Sequence, residues 1–260
     1  MVMATFCFGH NFLLFKLTRY IIFTFVMLTL MLSSAIIVAV LRIDAATYDC
    51  DHKKADQCSL NLMPITNSEI IRRPPKTIAQ FNVYCGKIRR YERCTRKFAE
   101  NCLQKESKQT LSILMYGISR VNKRYCTKEA RKKALIDLIQ CSGPINFRYY
   151  GDLLRNASAD LHAIREYPDA KLRIPMACCL YSQYTTQTLE HVEKTCPKYR
   201  QEVDSIIRGY SGDSFNFLCG DYADESDKCD PIIEKTPKWD GAVKWKSMII
   251  PMVQVIDSLH

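Results

Sequence analysis

The chain of 260 residues is 47% hydrophobic and carries a formal net charge of +10. A hydrophobic fraction of this size excludes a chain that is disordered throughout, and the length allows one domain or two small ones. The positive charge favours association with anionic partners, but net charge alone does not identify a partner.

The N-terminal region predicts entry into a membrane during synthesis. Residues 1–20 form a basic leader, and residues 21–41 are an uncharged apolar run. Because Lys16 and Arg19 precede the run, the positive-inside rule keeps the leader cytosolic and sends the rest of the chain to the lumen. The run is either the core of a cleaved signal peptide or an uncleaved type II anchor. We therefore predict an extracellular domain that is secreted or membrane-anchored.

The cysteines indicate an oxidising compartment. Of the 13 cysteines, Cys7 precedes the apolar run and twelve follow it. No C-x-x-C pair occurs, which argues against zinc ribbons, whereas an even set of cysteines in a secreted chain is typical of disulfides. We predict up to six bridges, whose connectivity the spacing does not determine. The predicted disulfide-forming residues are Cys50, Cys58, Cys85, Cys94, Cys102, Cys126, Cys141, Cys178, Cys179, Cys196, Cys219 and Cys229.

Helical periodicity begins after a lead segment at residues 47–75 and runs through a cysteine-rich domain at residues 76–230. Apolar side chains recur every three or four residues, whereas strand signals are scarce. The predicted fold class is all-α, a disulfide-cross-linked bundle of about five to seven helices preceded by an N-terminal hydrophobic helix. The first apolar stripe consists of Phe81, Cys85, Ile88, Tyr91, Cys94, Phe98 and Cys102.

Later helices are predicted from the same spacing together with local start and stop signals. These predictions are a second helix ending near Cys126, a third from an N-cap at Thr127 to Ser142-Gly143-Pro144, a fourth within residues 145–167, a fifth from Pro175 to Pro197, and a sixth ending in a turn at residues 209–214.

The C-terminal part is predicted to hold a solvated acidic loop and a separate tail. Residues 220–230 contain five acidic side chains and one lysine. Their order does not match the calcium loop of an EF-hand. The tail at residues 231–260 ends in an apolar stretch that could form an amphipathic helix, a segment docked on the core, or a lipid-anchor signal.

The chain shows no motif of a known catalytic or metal site. Residues 209–214 lack the second glycine of a nucleophile elbow, because Asp213 stands at that position. None of His52, His162 and His191 lies in the H-E-x-x-H spacing of a zinc protease. We therefore predict a protein that is not an enzyme, with no catalytic residue, no metal ligand and no cofactor.

Two local motifs concern covalent modification. Asn156-Ala157-Ser158 is a sequon, so we predict a glycan on Asn156. Cys178 and Cys179 are adjacent on a predicted helix, where neighbouring side chains point about 100° apart. They are therefore expected to bond to two different segments.

The cysteine spacing within about residues 80–230 carries a family resemblance. The pattern comprises Tyr84-Cys85, Cys94, Cys102-Leu103, Tyr125-Cys126, Cys141, Cys178-Cys179 and Cys196. It resembles the arthropod 27 kDa haemolymph glycoprotein family and is similar to cysteine-rich secreted domains of nematodes. The resemblance implies an extracellular, all-helical, disulfide-bonded protein without established catalytic activity. The long apolar run near the N-terminus and the basic charge depart from that family.

The leading functional hypothesis is a non-catalytic binding or structural domain outside the cell. The alternative is a carrier of a lipid or small hydrophobic ligand. A basic helix face at residues 87–97 and 128–133 could contact an anionic glycan or lipid surface, whereas nucleic acid is not expected in that compartment. The side chains proposed to line a carrier's cavity are Leu114, Met115, Ile118, Leu138 and Met176.

Overall fold

The computed structural model describes residues 27, 48–64, 66–67, 70, 72–222, 227–242 and 244–259. The chain divides into two compact units, Met1–Asp49 and Cys50–His260. Apart from Met27, the apolar run at residues 21–41 lies outside the described residues, and so does Cys7. The predictions made for the run and for Cys7 therefore stay predictions. Among the described residues, no helix is both long enough and apolar enough to cross a membrane.

Eight α-helices make up the described part of the second unit, and none of its described residues is in a strand. The all-α, disulfide-linked fold is therefore confirmed. The helices outnumber the five to seven predicted because the lead and the tail contribute short helices of their own. The helices are α1 His52–Leu60, α2 Ile78–Cys102, α3 Lys105–Thr127, α4 Glu129–Arg165, α5 Ala170–Thr195, α6 Arg200–Cys219, α7 Asp230–Ile233 and α8 Ile249–Asp257.

Helix α2 forms where the sequence predicts it. The hydroxyl of Thr77 accepts a hydrogen bond from the backbone N–H of Gln80 at 3.3 Å, which caps the first turn. Phe81, Ile88 and Phe98 are buried in the core. The cysteines of the stripe are only half-buried. They lie at its edges, where they reach the neighbouring segments.

Of the two boundaries predicted for α4, one is wrong and one is confirmed. Thr127 does not cap α4: it is the last residue of α3, and its hydroxyl donates to the Lys123 carbonyl at 2.8 Å. The stop predicted at residues 142–144 is confirmed, because Gly143 leaves the helical conformation with φ 62° and ψ 174°, a combination that favours glycine. A second helical stretch begins directly after it and continues to Arg165. Helix α4 therefore consists of two helices joined at a kink, which correspond to the predicted third and fourth helices.

Helices α3 and α6 cross at a pair of glycines. A Cβ atom placed on Gly117 would lie 2.7 Å from the Tyr210 carbonyl oxygen, and one placed on Gly209 would lie 2.6 Å from Val121 Cγ2. Neither position has room for a side chain. The turn predicted at residues 209–214 is wrong, because α6 continues to Cys219. Gly209 is explained by the close crossing of two helices.

The tail docks on the core, which decides among its three predicted roles. Ile250, Val253 and Val255 of α8 are each at most 2% exposed. The segment before α8 is held by the buried carboxylate of Asp56, which accepts hydrogen bonds from the backbone N–H groups of Lys246 and Ser247 at 3.1 and 2.9 Å. The lead and the tail therefore belong to the same compact unit as the helical domain.

All twelve cysteines after the apolar run are paired. Cys178 and Cys179 bond to different segments, as their adjacent positions on α5 predicted. The residues that flank the acidic loop, Cys219 and Cys229, are therefore both fastened to α5 rather than to each other. The six bridges are Cys50–Cys102, Cys58–Cys94, Cys85–Cys126, Cys141–Cys196, Cys178–Cys219 and Cys179–Cys229. This number of disulfides is typical of an oxidising extracellular environment.

Candidate ligand cavity

An apolar cavity of about 220 Å³ lies among the helices of the second unit. Five helices contribute to its wall: α3, α4, α5, α6 and α8. The wall includes Ile118, Ile139, Leu180, Ile206 and Val255, which are each at most 5% exposed. Helices that are distant in sequence thus converge on one apolar space.

The carrier hypothesis named part of this wall correctly. Leu114, Ile118 and Leu138 line the cavity, whereas Met115 and Met176 are fully buried in packed clusters beyond its lining. The contributions of α5, α6 and α8 were missed. Periodicity shows which face of a helix is apolar, but it does not show whether that face meets a side chain or a void.

The polar groups in the wall largely bond to one another or to the backbone. Tyr181 and Ser211 share a hydrogen bond between their hydroxyls. The hydroxyls of Thr188 and Ser214 donate to carbonyls of the preceding turn at 2.7 and 2.8 Å. Because these groups are satisfied within the protein, the wall favours a ligand with little polarity of its own.

The hydroxyl of Tyr150 differs from these hydroxyls of the wall, because it is buried and has no hydrogen-bond partner among the described residues. Burial raises the pKa of the Tyr150 hydroxyl, and the nearby Thr195 side chain partly opposes this rise without reaching hydrogen-bonding geometry. A buried polar group without a partner is rare in folded proteins and calls for an explanation.

His191 holds the segment that follows the Gly143 kink. Its ring stacks on Tyr149 with centroids 3.8 Å apart, meets the Tyr150 ring edge-on at 5.5 Å, and lies 2.8 Å from Asn146 Oδ1. Burial lowers the pKa of His191, and the charge of Lys194 lowers it further. Tyr150, which lines the cavity, therefore packs against a histidine whose neutral form is favoured.

We expect the free energy of unfolding to fall as the pH is lowered through about 6.5, the ordinary pKa of histidine. The pKa of His191 is lower in the folded state, so the unfolded chain takes up a proton first and gains stability on acidification. Urea unfolding between about pH 7 and pH 5.5 measures this loss. The His191→Gln variant should show a shallower dependence, and an unchanged slope would refute the assignment.

His52 and His162 pack against aromatic rings. The His162 ring meets Trp239 edge-on at 4.3 Å, and His52 packs against Phe98 and Trp245. Within the described part of the chain, no three side chains of His, Cys, Asp or Glu converge in a way that could hold a metal ion.

The remaining predicted sites lie on the surface. Asn156 is exposed on α4, whereas the hydroxyl of Ser158 in the same sequon is buried and donates to the Trp245 carbonyl at 3.1 Å. A glycan on Asn156 stays a prediction. In the acidic loop, Asp221 forms an ion pair with Lys228 at 2.8 Å, while residues 223–226 lie outside the described residues.

Comparison with known proteins places this chain in no group. No protein-family model, no curated protein and no solved structure matches it. The resemblance to haemolymph glycoproteins therefore stays a prediction.

Proposed function

We propose that the domain is a non-catalytic extracellular carrier that holds a small apolar molecule in the cavity. The sequence left a carrier as the alternative to another binding or structural role. The observation that favours the carrier is the apolar space of about 220 Å³ lined by five helices.

A cavity in a protein core lowers the stability of the fold. Residual cavities in protein cores lower stability by roughly 24 cal/mol per Å³, which for this volume sets an upper bound of about 5 kcal/mol. Whole domains are stable by only about 5–15 kcal/mol. A bound apolar molecule would recover part of that loss, since its surface leaves water and contacts the wall.

The size of the cavity limits the ligand. An engineered cavity of about 150 Å³ binds benzene, whereas pockets for drug-sized ligands occupy about 300–1,000 Å³. The present volume lies between them and fits a bicyclic aromatic compound or a short branched hydrocarbon.

We expect naphthalene to stabilise the full chain against urea, because a ligand that binds only the folded state shifts the equilibrium towards it. At a concentration of about 100 times its Kd, the gain should be about 2.7 kcal/mol. The Ala177→Leu variant adds bulk to the cavity wall and should weaken the binding by about tenfold or more, which corresponds to about 1.4 kcal/mol.

A matched control is Ala130→Leu, the same substitution at an exposed position of α4 outside the wall. It should bind naphthalene as the wild type does. A second variant, Leu138→Ala, enlarges the cavity and should shift the preference towards larger hydrocarbons. The proposal fails if the wild type gains no stability from naphthalene, or if the Ala177→Leu and Ala130→Leu variants bind it equally well.

A further inference from the structure

Positive charge is concentrated in one part of the domain. Residues 72–133 hold 18 Lys and Arg against 4 Asp and Glu, a net charge of +14. Residues 134–260 hold 14 against 18, a net charge of −4. Helices α2 and α3 and the start of α4 therefore carry the basic character of the whole chain. This asymmetry is independent of the cavity and of the ligand proposed for it.

The solvent side of the α2–α3 pair presents these charges together. Cys85 and Cys126 join the two antiparallel helices, and the Arg96 guanidinium donates to the Met115 carbonyl and the Ser119 hydroxyl at 3.2 and 3.1 Å. Spacings of three and four residues then place exposed cations on the outer surface of α2, beside an exposed lysine of α3. We name this surface the basic face and define it as Arg89, Arg90, Arg93, Lys97 and Lys123.

The cations of the basic face have no ionic partner among the described residues. The ion pairs formed by described residues 89–133 are Arg120–Asp213 and Arg131–Glu202, and neither includes a member of the face. The nearest acidic side chain on α2, Glu92, accepts a hydrogen bond from Asn122 at 3.4 Å between the helices. The charge of the basic face is therefore available to an external anion.

We infer that the basic face binds a linear sulfated polysaccharide. Three of its five members are arginines, and a guanidinium group pairs with a planar pair of anionic oxygens through two parallel hydrogen bonds. From Arg89 to Lys97 the face extends about 12 Å along α2, at 1.5 Å per residue. A row of this kind matches a partner whose negative charges repeat along a chain.

An anionic membrane fits the basic face less well. Anionic lipids are concentrated in the cytoplasmic leaflet, whereas six disulfides indicate an oxidising compartment. Membrane-docking helices also insert exposed apolar side chains. The large exposed apolar side chains of α2 and α3 are Val83 and Tyr116, and the Arg120 guanidinium lies over the Tyr116 ring at 5.7 Å. Two such side chains do not make up the apolar face with which these helices insert.

Binding of the full chain to heparin tests the inference. The variant Arg89→Gln/Arg93→Gln/Lys97→Gln should bind at least about tenfold more weakly, and the slope of log K against log salt should fall by about two to three units. The control Lys171→Gln/Lys194→Gln/Lys235→Gln removes the same charge from exposed positions elsewhere and should stay within about twofold of the wild type.

Three results would overturn the inference. Equal weakening by the two triple variants would mean that heparin responds to net charge alone. If the wild type did not bind heparin at about 0.15 M salt, the basic face would not be a binding site for a sulfated polysaccharide. The wild type could also bind phosphatidylserine vesicles as tightly as heparin and lose this binding in the same variant. That result would show that the basic face binds anionic lipid. Naphthalene binding by the triple variants should be unchanged in every case, which separates this test from that of the cavity.

Discussion

Replacing Gly117 by alanine should lower the free energy of unfolding by about 2 kcal/mol, because overpacking costs about 1–3 kcal/mol or more. The new Cβ would lie 2.7 and 2.9 Å from the carbonyl oxygens of Tyr210 and Gly209. Both atoms belong to the backbone of α6, so no rotation of a side chain relieves the contact. The helices must separate, and the loss exceeds the gain of about 1 kcal/mol in helix propensity.

Gly86 provides the matched control, since it lies within α2 and a Cβ there would meet nothing within 4 Å. The Gly86→Ala substitution should stabilise the domain by about 0.5–1 kcal/mol. Urea unfolding of both variants measures the two changes. Opposite signs support the close crossing of α3 and α6. A Gly117→Ala variant as stable as the Gly86→Ala variant would show that the helices do not approach so closely.

Removing the Cys141–Cys196 disulfide by double alanine substitution should cost about 4 kcal/mol, the chain-entropy value for a loop of this length. The two residues are 55 positions apart. No other bridge shortens that loop, because Cys178 and Cys179 inside it bond to later segments of the chain. The bridge also fastens the α4 kink near Gly143 to the end of α5, beside His191.

The Cys58–Cys94 disulfide is the control for that experiment. It spans 36 positions but lies inside the loop closed by Cys50–Cys102. With Cys50–Cys102 intact, Cys58 and Cys94 stay connected through residues 50–58 and 94–102, a path of only about 18 residues. The Cys58–Cys94 bridge therefore closes a small ring, and the expected cost of removing it is about 3 kcal/mol. Equilibrium unfolding with the other five bridges intact compares the two variants. A larger loss for the nested bridge would contradict an origin in chain entropy.

Several features of the domain could be predicted because they depend on local chemistry. The helical class follows from the spacing of Phe81, Ile88 and Phe98, which places apolar side chains on one face of α2. Disulfide bonding follows from the even set of cysteines after the apolar run. The divergent bonding of Cys178 and Cys179 follows from helical geometry.

The failed predictions share one cause: the local signal had more than one structural meaning. Thr127 indicated an N-cap for α4, but it ends α3, and its hydroxyl donates back to the Lys123 carbonyl. Gly209 indicated a turn, although it serves a crossing with α3. A glycine permits several backbone arrangements, and only the elements packed against it select one.

The class of the fold, the disulfide bonding of the domain and the uneven distribution of its charge can all be read from the amino-acid sequence. Each of these depends on composition or on spacing within a single helix. The pairing of the cysteines, the docking of the tail and the apolar space between five helices become visible only in the folded domain. Those features depend on contacts between residues far apart in the chain, such as Asp56 with Ser247, which no local pattern encodes.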